Sequence, residues 1–121
     1  QLSAQEVQGV LLLSDVYGAF TDDTKTLAEK IAFECQPVVV MVPDMFRGKP
    51  WKEDPTTPGF NEERQDYEEW RAQHSDLRIS VDIRAAAAVL RESYGVSSVV
   101  VWGTCFGGGR ALEIAGGYLP G

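Results

Sequence analysis

Cys105 stands in a setting that could turn a thiol into a nucleophile. Residues 99–110 read VVVWGTCFGGGR. A β-branched apolar run stops at Gly103, the cysteine follows two residues later, and Gly107, Gly108 and Gly109 open the next segment. Gly103-Thr104-Cys105-Phe106-Gly107 has the form G-x-nucleophile-x-G, the pattern of a nucleophile elbow. The backbone of such a turn is strained and its neighbours nearly collide with the flanking strand and helix, so glycine on both sides removes the clash. The turn also aims a helix N-terminus at the sulfur, which favours the thiolate.

The elements needed to hold such a turn are legible on either side of it. Residues 7–13 (VQGVLLL), 37–42 (PVVVMV) and 98–102 (SVVVW) are nearly continuous apolar runs. That is the pattern of strands buried on both faces of a parallel sheet. Helical periodicity fills the gaps. Residues 24–35 place Leu27, Ala28, Ile31, Ala32 and Cys35 on one stripe, and Asp22 and Asp23 favour its N-terminal end. Residues 79–94 repeat the stripe through Ile79, Ile83, Ala86, Ala87, Leu90 and Tyr94, with Gly95 as a stop. The β-α-β-α-β-α order predicts an α/β fold of three layers, helices on both faces of a parallel sheet, with the strands ordered second-first-third. Residues 43–60 carry four of the six prolines and read as a long functional connection. Residues 61–73 read as a polar surface helix.

Composition excludes several function classes. The 121 residues carry 18 acidic and 11 basic side chains, a net charge of −7, and no basic stripe for nucleic acid. No apolar run is long enough to span a membrane, and the N-terminus is no signal peptide. Cys35 and Cys105 are the only cysteines; they make neither a disulfide framework nor a metal-ligand cluster, and no cofactor is implied. A working thiol fits a reducing compartment, the cytosol or an organelle stroma. The first residue is not methionine, which is expected of a processed or truncated chain.

Three motifs now stand at strand ends: Ser14-Asp15-Val16-Tyr17-Gly18, Val42-Pro43-Asp44-Met45-Phe46, and Gly103 through Gly108. Together, from about Gly9 to Leu112, they resemble the dienelactone hydrolase family of the α/β-hydrolase superfamily. The resemblance implies a hydrolase of small carboxylic esters or lactones with Cys105 as nucleophile. It implies backbone N–H donors at Phe106 and Val16 forming an oxyanion hole, and Asp15 influencing the protonation of the resting thiol. An arginine of the middle segment, Arg64 with Arg71 as its rival, would bind a substrate carboxylate. It further implies later strands carrying an acid and a histidine, for which residues 111–121 leave no room. Residues 1–121 therefore read as a partial hydrolase domain, inactive by itself. The alternative is a non-catalytic subunit built on the same fold and bound to a protein partner.

Other residues carry plainer expectations. Cys35 reads as core, His74 as a solvated surface histidine, and Asp44 as a turn residue. Trp51 and Trp70 either line a cleft or pack beneath the long connection.

Overall fold

The computed structural model of the chain describes residues 6–51, 64–104 and 106–115. Its element order is β1 (Gln8–Leu13), α1 (Asp22–Glu34), β2 (Val38–Met41), α2 (Arg64–Ala72), α3 (Asp76–Tyr94), β3 (Ser98–Gly103) and α4 (Phe106–Ala115). The three strands form one parallel sheet in the order β2-β1-β3, as the sequence predicts. β1 pairs along its whole length with β3, from Gln8 opposite Ser98 to Leu13 opposite Gly103. Its pairing with β2 ends two residues earlier, at Leu11 opposite Met41.

The pleat of β1 divides the core. Val10 and Leu12 point to one face and pack with Ile31, Leu27 and Ala28 of α1. Leu11 and Leu13 point to the other and pack with Ile79, Ile83 and Leu90 of α3, with Met45 and Phe46 from the connection after β2, and with Trp70 of α2. The three layers are thus α1, the sheet, and α2 with α3. Both long helices are capped by their own sequence. The Thr21 hydroxyl accepts from Thr24 N–H at the start of α1, and the Ser75 hydroxyl from Arg78 N–H at the start of α3. Gly95 ends α3 at φ 65°, a left-handed cap open to glycine.

Three expectations are corrected. β3 is not buried on both faces: Val99 and Val101 lie half-buried under α3, beside a cleft of about 410 Å³, while Val100 and Trp102 on the other face are each 45% exposed. α1 covers β2 more than β3 and leaves that strip open. Cys35 is exposed, because α1 ends at Glu34 and its cap no longer continues the stripe. Tyr94, at the last turn of α3, is exposed as well.

This asymmetry is measurable. Leu11→Ala should lower unfolding free energy by about 2–5 kcal/mol, the usual cost of a fully buried leucine. Val100→Thr, on the open face, should change it by less than about 0.5 kcal/mol. Urea denaturation followed by tryptophan fluorescence checks both.

Candidate active site

The chain leaves β1 toward β2 on one side and returns through β3 on the other. In open α/β sheets the crevice at the C-terminal strand ends of such a reversal is where ligands bind. Two of the sequence motifs meet there. Leu13 is opposite Gly103, and the Thr104 N–H donates to the Leu13 carbonyl at 3.2 Å, so the segments after β1 and β3 leave the sheet side by side.

The turn after β3 takes two residues. Thr104 accepts from the Gly107 N–H at 2.8 Å and α4 begins at Phe106. A Cβ on Gly103 would lie 2.1 Å from the Gly107 carbonyl oxygen, and one on Gly107 would lie 2.2 Å from the Leu13 carbonyl oxygen. These contacts are backbone on backbone and have no rotamer through which to relax. The glycines therefore let the first turn of α4 rest against the ends of β1 and β3. Cys105 itself lies outside the described residues. The Phe106 N–H belongs to the first turn of α4, whose N–H groups lack intrahelical acceptors.

The loop after β1 is tied on several sides. Asp15 Oδ1 accepts from the Tyr17 N–H at 3.0 Å, and the Asp15 carbonyl accepts from the Gly18 N–H and the Ser14 hydroxyl. One oxygen of this carboxylate thus organises its own loop. The Val16 carbonyl accepts from the Trp51 N–H at 2.8 Å, while among the described residues nothing accepts from the Val16 N–H. Trp51 is in turn held by the rings of Tyr67 and Trp70, at 5.2 and 5.6 Å. Trp51 and Trp70 therefore pack beneath the connection, and Trp70 Nε1 donates to the Lys49 carbonyl at 2.7 Å. Asp44 opens the turn after β2, its carbonyl accepting from Arg47 N–H.

His74 is not the solvated side chain its polar neighbours suggest. It is only 4% exposed and sits against the rings of Phe46 and Trp70. His74 lies in the turn between α2 and α3, with Trp70 on one helix and Arg78 on the other, so no single helical stripe in the sequence marked it. An Arg78 nitrogen donates to His74 Nδ1 at 2.6 Å, which places the ring proton on Nε2 of a neutral imidazole. Nε2 is buried without a hydrogen bond among the described residues. Burial, then the charge of Arg78, pushes the His74 pKa below its ordinary value of 6.5; the Lys49 backbone pulls the other way, and the charges of Arg71 and Lys49 add smaller downward pushes.

Sequence reasoning also missed a set of ion pairs around this layer. Arg47 grips Asp82 with two nitrogens at 3.0 and 2.9 Å, and Arg78 bonds both Asp82 and the Met45 carbonyl. These contacts fasten the connection after β2 to α3. Together the two arginines outweigh the burial of Asp82 and hold its carboxyl below the ordinary range. Arg71 bonds the His74 carbonyl and Asp76, and Arg110 bonds Asp76 at 2.8 Å. Of the two arginines expected to meet substrate, Arg71 is engaged in this way, and the Arg64 side chain is outside the described residues. Among the described residues no group of side chains has metal-binding geometry, and no helix is long and apolar enough to cross a membrane.

The architecture is that of a parallel α/β domain with two loops converging at its strand ends. The chain belongs to the dienelactone hydrolase family, whose sequence profile matches residues 2–120. Membership places it among hydrolases. No curated protein and no solved structure gives a significant match.

Two outcomes follow from the geometry. Gly107→Ala should cost more than about 4 kcal/mol or prevent folding, since backbone must move. Gly109→Ala, whose Cβ meets no atom within 4 Å, should instead stabilise by about 0.5–1 kcal/mol through helix propensity. Thermal melts of both variants decide this. The pH prediction concerns His74, the chain's one histidine. Its pKa is lower folded than unfolded, so the unfolded chain takes up the proton first. Its contribution is fully present above about 6.5 and is lost as pH falls through the folded pKa. Between pH 7 and 5.5, stability should decline with falling pH, and His74→Gln should flatten that slope even though it lowers stability throughout.

Proposed function

We infer that this chain carries the nucleophile and oxyanion hole of a hydrolase for small carboxylic esters or lactones. The Cys105 thiolate attacks the substrate carbonyl carbon. The carbonyl electrons move to oxygen, where the N–H groups of Phe106 and Val16 stabilise the charge. Collapse expels the alkoxide and leaves a thioester on sulfur, which water then hydrolyses. Asp15, whose second carboxylate oxygen is not used by the loop bond to Tyr17, tunes the resting thiol. Arg64 meets an acidic group of the substrate. The observation that carries this reading is the backbone contact of Gly103 and Gly107 with each other and with Leu13, which a strand-to-helix turn presenting a side chain requires.

The structure of His74 bears on turnover. Its Nδ1 is occupied by Arg78 and its Nε2 is buried, so it offers the nucleophile no base. These 121 residues should therefore acylate and stall. A second reading, a non-catalytic subunit held by a protein partner, draws support from the open strip of Val100 and Trp102.

The two readings part in one assay. Residues 1–121 mixed with p-nitrophenyl acetate should release up to one equivalent of p-nitrophenolate per chain and then slow to the rate of a free thiol. Mass spectrometry should place the acetyl group on Cys105. Cys105→Ala should abolish the burst, whereas Cys35→Ala should keep it, exposure alone not making a thiol reactive. No burst would favour the subunit; sustained turnover would return His74 to the chemistry.

A further inference from the structure

Phe106, the first residue of α4, is gripped in an unusual way. The guanidinium of Arg71, from α2, lies 4.8 Å from its ring centroid, and that of Arg110, one turn further along α4, lies 4.9 Å away. Both cations bond the same oxygen, Asp76 Oδ1 at the start of α3. The Phe46 ring adds a contact at 5.3 Å. The side chains of Arg71 and Arg110 are only 26% and 14% exposed.

Packing alone does not account for this. In this cluster two partly buried cations share one ring and one carboxylate oxygen. It sits at the N-terminal end of α4, where the helix dipole already disfavours cations. Burying charge in this way is costly, and a leucine at 106 could fill the space beside Phe46. What the arrangement supplies is orientation. Each guanidinium is attracted to the face of the ring, and the Asp76 bridge ties the ring to α2 and α3. The Phe106 side chain is thereby fixed against two other helices, α2 and α3.

We propose that Arg71, Asp76 and Arg110 are positioning residues that clamp the Phe106 ring and so hold the Phe106 N–H as an oxyanion donor. The inference rests on the acyl-transfer reading above, and the test separates the two. Acylation by p-nitrophenyl acetate builds negative charge on a carbonyl oxygen and needs the oxyanion donors. Alkylation by iodoacetamide displaces iodide at a saturated carbon and does not. Both rates are measured at Cys105 by peptide-resolved mass spectrometry, at a pH on the plateau of the alkylation profile.

Loss of one oxyanion donor costs about 10²–10³-fold. Arg71→Gln and Arg110→Gln, which loosen the donor without removing it, should slow acylation by about tenfold while alkylation changes less than about twofold. Arg110→Lys, which keeps the charge but not the planar stack, should recover only part of the loss. Phe106→Leu guards against a folding artefact, because it leaves the arginine–Asp76 bonds in place and keeps the backbone N–H. It should show the same selective loss, and adding Arg71→Gln to it should slow acylation no further. Equal slowing of both reactions, or no slowing in folded variants, would overturn the clamp. A wild-type chain that alkylates but never acylates would overturn the acyl-transfer reading instead, and the clamp with it.

Discussion

The first turn of α4 touches the ends of β1 and β3 at distances only glycine allows. Gly103 and Gly107 would each drive a Cβ into backbone at close to 2 Å. Much of the molecule is arranged around that contact. Leu13 must end β1 level with Gly103, which the register achieves. β1 must not shift, and it lies at the centre of the sheet with Leu11, Leu12 and Leu13 fully buried. The contact brings the loop after β1 next to the start of α4, the juxtaposition a two-donor oxyanion hole needs.

Behind that contact lies a second layer, aromatic and cationic. Phe46 touches Trp70, His74 and Phe106. Arg47 and Arg78 share Asp82, and Arg71 and Arg110 share Asp76. Among the described residues these pairs gather four arginines around two carboxylates on one side of the sheet. The two clusters differ in purpose. The Asp82 pair fastens the connection after β2 to α3, with Arg47 largely in solvent, where such a pair contributes little to stability. The Asp76 pair is more enclosed and lies against the residue that opens α4.

The fold was legible because its signals are local. Three apolar runs, two helical stripes and the Gly95 stop define the elements, and the crossover rules define the strand order. The need for glycine at 103 and 107 was legible for the same reason, since the clash these glycines relieve is a property of the turn after β3. What escaped depends on which surfaces meet. Val100 and Trp102 have the composition of a doubly covered strand, yet the position of α1 leaves them open. Cys35 continues a stripe in register but lies past the last helical residue. His74 and the arginine pairs are joined by tertiary packing between α2, α3 and the connection after β2. For these no local pattern in the sequence says which surfaces meet.

The placement of His74 separates two tasks that acyl transfer requires. Under the reading proposed above, stabilising the anionic transition state falls to fixed dipoles and positive charge at this end of the sheet: the first turn of α4, the loop at Val16, and the Arg71–Arg110 pair. Moving a proton needs a base that can change state near neutral pH. Here the chain's one histidine is buried and bonded to Arg78, and burial first, then the Arg78 charge, lowers its pKa. Burial and the positive charges beside it thus both disfavour the protonated form of His74. Under the proposed reading, proton transfer falls to a group other than His74, whose Nδ1 is taken by Arg78 and whose Nε2 is buried.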